Sequence, residues 1–390
     1  MLSIDFKIHE NLFINQNFLL LQILGNLKII DLSRSRLLTK MPGLSSMPNL
    51  EELNLVCCER LKKFPEIREN MGRLERVHLD CSGIQEIPSS IEYLPALEFL
   101  TLHYCRNFDK FPDNFGNLRH LRVINANRTD IKELPEIHNM GSLTKLFLIE
   151  TAIKELPRSI GHLTELEELN LENCKNLRSL PNSICGLKSL GVLNLNGCSN
   201  LVAFPEITED MEDLRVLLLS KTPITELPPS IEHLKGLEHL ELKNCENLVT
   251  LPDSIGNLTH LRSLCVRNCS KLHNLPDNLR SLQWCLRRLD LAGCNLMKGA
   301  IPSDLWCLSL LRFLDVSEIP IPCIPTNIIQ LSNLRTLRMN HCQMLEEIPE
   351  LPSRLEVLEA PGCPHVGTLS TPSSPLWSSL LNLFKSRTQV

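Results

Sequence analysis

"LNLENCKNLRSLP" occupies residues 169–181. It returns as "LNLNGCSNLVAFP" (193–205) and as "LELKNCENLVTLP" (240–252). In each copy two leucines flank one other residue, a cysteine stands five positions after the first leucine, and a proline closes the unit. Alternation at period two is the pattern of a strand with one face turned inward. A thiol kept at one place in such a unit suggests four things: a metal site, a disulfide framework, a row of nucleophiles or a structural ladder. What fills that place in the other copies separates them.

Aligned on L-x-x-L-x-L, the chain has fifteen starts: Leu27, Leu50, Leu74, Leu97, Leu121, Leu143, Leu166, Leu190, Leu214, Leu237, Leu261, Leu286, Leu311, Leu334 and Leu355. The mean step is about 23 residues, inside the range of leucine-rich repeats. The period predicts an α/β leucine-rich-repeat solenoid, a horseshoe over 27–366. Its parallel strands line the concave face and its short helices or 3₁₀ turns line the convex one. In "PSSIEYLPAL" (88–97) and "PPSIEHLKGL" (228–237) apolar spacings of 3 and 4 predict that outer turn, with the serine near its N-cap. Residues 1–26 read as a flanking segment and 367–390 as the start of a further domain or a disordered tail.

The ladder position holds Ser35, Cys58, Ser82, Cys105, Thr129, Thr151, Cys174, Cys198, Thr222, Cys245, Cys269, Cys294, Ile319, Cys342 and Cys363. Exchange of Cys for Ser or Thr suits a small polar group that satisfies backbone atoms, not a nucleophile or a zinc ligand. The hydroxyl units also carry the shorter turn, "TAIKELP" (151–157) against "CKNLRSLP" (174–181). Thiols stacked with parallel Cβ vectors are poorly placed for disulfides, and a line of single thiols does not converge on a metal. Ile319 lacks the polar group, so a local irregularity is expected there. Cys57, Cys81, Cys185, Cys265, Cys285, Cys307 and Cys323 show no C-x-x-C spacing and read as core or surface residues.

The 390 residues carry a formal net charge of −5 with 22% charged residues, a balance that does not advertise nucleic acid or membrane binding. No apolar run reaches the ~18 residues of a membrane span. "FLLLQIL" (18–24) is apolar but follows no basic segment, so a secretory signal is not expected and reduced thiols are. G-x-x-x-x-G-K-[ST], G-x-G-x-x-G, G-x-S-x-G and H-E-x-x-H are all absent, so no catalytic residue, metal ligand or cofactor site is assigned.

Recognition should then sit on outward strand positions, where the repeat does not dictate the residue. Candidates for protein binding in the earlier repeats are Phe99, Thr101, His103, Val123, Asn125, Phe147 and Ile149. In the later repeats they are Leu218, His239, Lys243, Arg267, Arg288, Phe313 and Arg338. Val192 and Val216 extend an apolar strip, which suggests a contact surface. Asn194, Asp290 and Asp315 are placed outward by the same count, so Asn194→Asp is expected to leave folding intact. The residue after the first leucine is Glu51, Glu75, Glu98, Glu167 and Glu238 in earlier repeats. It becomes Arg262, Arg287, Arg312 and Arg335 in four successive late ones, a like-charge column that invites an acidic partner.

"LKIIDLSRSRLLTKMPGLSSMPNLEELNLVCCERLKKFPEI" (27–67), the "xAIKELPxSIxxLxxLExLxLxxCxNLxxLP" units and "LPSRLEVLEAPGC" (351–363) resemble the repeat domain of plant intracellular disease-resistance receptors. These are the nucleotide-binding leucine-rich-repeat proteins with an N-terminal Toll/interleukin-receptor domain. "TLSTPSSPLWSSLLNLFKS" (368–386) is similar to the opening of their post-repeat domain. The resemblance implies a cytoplasmic or nuclear recognition module that senses pathogen effectors or a guarded host protein. It also implies restraint of the receptor's nucleotide-binding domain. It does not extend to NAD cleavage or nucleotide binding, whose domains these residues do not include. Two alternatives stand beside it. One is a secreted inhibitor of pathogen hydrolases, which needs a signal peptide, disulfide-bonded caps and occupied sequons at Asn127 and Asn257. The other is a repeat-only intracellular scaffold or adaptor.

Overall fold

A computed structural model describes residues 25–297, 300–366 and the backbone of Thr368–Leu369. The flanking segment 1–26 and the tail 367–390, with Trp377 and Phe384, lie almost wholly outside the described residues. The chain divides into two compact units, Met1–Leu217 and Leu218–Val390.

Each repeat contributes one strand of three residues. In the first unit these begin at Ile29–Asp31 and run to Val192–Asn194. Successive strands pair in parallel with equivalent residues opposed, Leu146 to Leu169 and Leu169 to Leu193. In the second unit they run from His239–Glu241 to Thr336–Arg338 and on to Val357–Glu359. There the same register sets Leu264 against Leu289 and Leu314 against Leu337. The fold is the leucine-rich-repeat solenoid that the period predicts. The central residue of a strand and the apolar residue two positions later are both buried, as Leu169 and Leu171 are. One repeat cannot shield both. Its neighbours do, and this ties strand formation to stacking.

Among the described residues every helical element of the outer segments is a 3₁₀ turn, such as Ser89–Tyr93, Arg158–His162 and Asp253–Asn257. The reason lies in the spacing. Ile91, Leu94 and Leu97 are three apart throughout, and Leu94 N donates to Ile91 O at 3.0 Å and Leu97 N to Leu94 O at 3.1 Å. Three residues per turn is 3₁₀ geometry. The cap position is held by proline (Pro88, Pro157, Pro252), with no side-chain cap bond. The serine has a different task from the one expected. Ser90 Oγ accepts from Ile67 N at 3.1 Å and Ser159 Oγ from Ile137 N at 2.9 Å. Both donors belong to the preceding repeat, whose "PEI" segment forms no 3₁₀ turn and leaves that N–H to be satisfied. Adjacent turns approach closely where glycine allows it. A Cβ on Gly161 would lie 2.3 Å from Ser183 O, and one on Gly186 2.4 Å from Gly161 O.

Candidate protein interface

The ladder thiols are buried or half-buried, and each donates to a backbone carbonyl of the preceding repeat. Cys58 reaches Leu32 O at 3.2 Å, Cys174 reaches Leu148 O at 3.0 Å and Cys198 reaches Leu171 O at 3.1 Å. Cys105, Cys245, Cys269, Cys294, Cys342 and Cys363 make the equivalent bond at 3.0–3.2 Å. The hydroxyls turn the other way. Thr129, Thr151 and Thr222 donate to the carbonyl three residues earlier in their own repeat, Ala126, Leu148 and Leu219, at 2.7, 2.8 and 2.6 Å. A shorter C–O bond reaches the near carbonyl, whereas the larger sulfur spans to the preceding repeat. Burial opposes the thiolate, pushing Cys58, Cys105 and Cys342 up to about 11 and Cys198 and Cys294 up to about 12, whereas the hydrogen bond shared by Cys245 and Cys269 lowers Cys245 and raises Cys269. All sixteen cysteines are free. The irregularity expected at Ile319 is confined to the turn, where Ile321 N bonds back to Ile319 O at 2.9 Å. Its strand pairs in register on both sides, and Val316 O receives its bond from Cys342 of the next repeat.

Two backbone devices decide which side chains face outward. The residue before the ladder position is left-handed in every repeat, from Arg34 (φ 64°) through Asn173 (φ 57°) and Gly197 (φ 73°) to Gly362 (φ 72°). This rotation lets its N–H bond the following repeat, as Asn173 N does to Asn196 O at 2.7 Å, while Cys174 N turns back to Leu171 O at 3.1 Å. The sequence reading missed this position. Its signal was the Asn or Gly before Cys in "ENC", "NGC" and "KNC" (172–174, 196–198, 243–245), the residue types that tolerate positive φ. The second device is an Asx turn at the third strand residue. Asn170, Asn194, Asp290 and Asp315 accept the backbone N–H two residues on, at 3.1, 3.0, 3.3 and 3.0 Å. These positions are therefore dictated by the repeat. Asn194, expected to face solvent, is buried, and its Nδ2 donates to Glu172 Oε2 at 3.2 Å. Asp290 and Asp315 were also counted outward and are 2% and 1% exposed.

On the strand face of the first unit the apolar candidates are half-buried rather than exposed. Phe99 opposes Val123, and Thr101, Asn125 and Phe147 follow one another across three strands. Asn125 Oδ1 is taken by Asn127 N at 3.2 Å, and His78 Nδ1 lies 3.3 Å from Thr101 Oγ1. Ile149 N is held by Asn127 Oδ1 at 2.7 Å. His103 N is bound in the same way by Asp80 Oδ1 at 2.7 Å. Val192 and Val216 are half-buried as well.

On the strand face of the second unit, two of the candidates, Arg288 and Arg338, flank a third, Phe313, and a fourth, Arg267, reaches the aspartates of the Arg288 and Phe313 strands. The Arg288 guanidinium lies 3.6 Å from the centre of the Phe313 ring and that of Arg338 5.5 Å from it. Arg267 Nη2 meets Asp315 Oδ2 at 2.6 Å and its Nε meets Asp290 Oδ2 at 3.3 Å. Burial opposes the Arg267 charge, but the two aspartates more than offset it, and its pKa ends above the ordinary value. Arg338 pairs with Glu359 at 3.0 Å. The outcome is an aromatic ring flanked by fixed guanidinium groups, over two carboxylates sealed from water. Leu218, His239 and Lys243 do not join this group; Lys243 pairs with Glu241 at 3.2 Å.

At one edge of this face stand Arg262, Arg287, Arg312 and Arg335, all exposed. Backbone bonds of 2.8–2.9 Å link each to the next. Arg262 pairs with Glu238 at 2.7 Å and Arg335 with Glu356 at 3.1 Å. Among the described residues, Arg287 and Arg312 have no carboxylate partner.

Comparison with known proteins agrees with this architecture. A model of the leucine-rich repeat region matches residues 82–217 and 191–285, and a leucine-rich repeat model matches 285–308. Disease resistance-like protein DSC1 of Arabidopsis thaliana is 33% identical over 354 residues, covering 90% of this chain and 25% of that protein. TMV resistance protein N of Nicotiana glutinosa is 33% identical over 341 residues, covering 86% of this chain and 25% of that protein. The chain thus spans about a quarter of the length of these relatives. The leucine-rich-repeat protein LIC12759 of Leptospira interrogans shares the fold, with a TM-score of 0.59 and 23% identity over 93% of this chain and 95% of that one. With matched repeats over more than half its length and plant disease resistance proteins as its relatives, the chain belongs to the leucine-rich-repeat family.

Proposed function

We propose that the chain is the protein-recognition part of a plant disease-resistance receptor, and that it also restrains the receptor until its partner binds. The partner is a pathogen effector or a guarded host protein, met in the cytoplasm or nucleus, and the module itself performs no chemistry. The observation that carries this reading is the 33% identity to disease resistance proteins across nearly the whole chain. The geometry supports it. Phe313 with Arg288 and Arg338 is the kind of rigid aromatic and arginine anchor that dominates protein interfaces. Among the described residues no helix is long and apolar enough to cross a membrane, so the reading requires no anchor from them.

Proximity labelling in infected leaf tissue tests this. The chain and its Phe313→Ala/Arg288→Ala variant, expressed at equal levels, are compared by quantitative mass spectrometry. A pathogen or host protein labelled by the parent and several-fold less by the variant is expected. Equal labelling profiles would overturn the assignment of recognition to this face.

A further inference from the structure

We infer that the arginine column of the second unit is a docking surface for an acidic segment of a protein partner, with Arg287 and Arg312 as its centre. The inference deepens the recognition reading and rests on it for the kind of partner. Adjacent strands lie about 4.8 Å apart, so four guanidinium-bearing residues stand at successive steps of that size. Like charges directly opposed across strands repel. Where the chain compensates such charges it does so with glutamate. Arg262 has Glu238, Arg335 has Glu356, and in the first unit Lys28 has Glu51 and Arg76 has Glu52. Only the middle of the column is left uncompensated, and it is exposed. The two terminal pairs fix the ends of the column and leave a two-residue gap of positive charge between them.

Carboxylates match that gap. Arginine forks bind them bidentately, and carboxylates on one face of a partner element come about 5–7 Å apart, close to the strand step. Next to the gap, Arg288 and Phe313 offer a cation and an apolar ring to whatever flanks the acidic residues. A nucleic acid is the other polyanion to consider. Two free arginines on a chain of net charge −5 make a poor footprint for it.

The probe is a fluorescein-labelled peptide of alternating Glu and Asp, about twelve residues long, titrated by anisotropy against the full chain at low and moderate salt. The parent is expected to bind, more weakly as salt rises. Arg287→Glu/Arg312→Glu should weaken binding at least about tenfold. Arg122→Glu/Lys145→Glu, a charge reversal in the first unit, should leave it within about twofold. Equal losses in both variants, or none in the first, would overturn the docking site. So would a labelled DNA duplex that binds as tightly as the peptide at the same salt. The charge strain gives an independent readout. Arg287→Gln/Arg312→Gln should melt higher than the parent at low salt, and the gap should close at high salt; a variant that melts lower would count against the uncompensated column. Phe313→Ala should retain the acidic peptide. If it does, and leaf labelling still shows no partner, the recognition reading fails while the docking site stands.

Discussion

At the scale of single residues, the element chosen at one position decides which repeat it serves. A thiol at the ladder reaches back to the neighbouring repeat, and a threonine hydroxyl closes its own turn. Because burial raises Cys58, Cys105 and Cys342 to about 11 and Cys198 and Cys294 to about 12 from an ordinary value of 9.0, they bind protons that the unfolded chain has already lost above that value. Their stabilisation is fully present below pH 9 and is lost as pH rises through the folded values. The urea midpoint should therefore fall between about pH 8 and about pH 10.5, and Cys198→Ser should reduce the slope. An unchanged slope would remove Cys198 as a contributor. Asn194 supplies a second test. As an aspartate it would keep its turn bond to Asn196 N but set a buried carboxylate against the half-buried Glu172. Asn194→Asp should cost about 1–3 kcal/mol, read by denaturant unfolding, and the cost should shrink in Glu172→Gln.

At the scale of elements, the outer turns and the left-handed corners carry the constraints. Gly161 and Gly186 allow two 3₁₀ turns to stack at backbone distance. Gly161→Ala must push the Ser183 backbone away and should cost about 1–3 kcal/mol, whereas Gly141→Ala, with open space around its Cβ, should be near neutral. Thermal unfolding of the pair compares them directly. The left-handed corner at Glu318 has φ 59°, a conformation that costs an ordinary side chain about 1 kcal/mol. Glu318→Asn should recover a good part of that and raise the melting temperature by a few degrees. Strain of this kind is retained in six consecutive repeats of the first unit, where Arg34, Cys57, Cys81, Tyr104, Arg128 and Glu150 stand in place of Asn or Gly.

At the scale of the molecule, cross-repeat bonds reach the next repeat in most cases and the one after it in few, as with Arg267 and Asp315. Stability in such a chain is a sum of repeat and nearest-neighbour interface energies. Leu193 is buried at the centre of its strand, between Leu169 and the next repeat. Leu193→Asp places an unpaired charge there and should cost more than about 3 kcal/mol. Hydrogen exchange should show the loss concentrated at the amides of the flanking repeats, with those near Leu314 and Leu337 protected almost as before. Uniform loss of protection would mean that the chain melts as one cooperative block instead.

The amino-acid sequence by itself determined the period, the strand phase and the buried leucines, because one unit cannot hide its apolar residues and the same solution recurs wherever the spacing recurs. It also carried the arginine column, since side chains one residue before successive strands must stand side by side, and it brought Arg267, Arg288, Phe313 and Arg338 onto one face. Counting alternate residues could not show which outward positions were already engaged. Asn194, Asp290 and Asp315 point away from the core by count, yet Asx turns and cross-strand partners bury them. Nor could it show that Arg262 and Arg335 are neutralised while Arg287 and Arg312 are not, because Glu238 and Glu356 lie 24 and 21 residues away along the chain. Local spacing sets the backbone of each repeat. Which charges remain for a partner depends on side chains that meet only after the repeats have stacked.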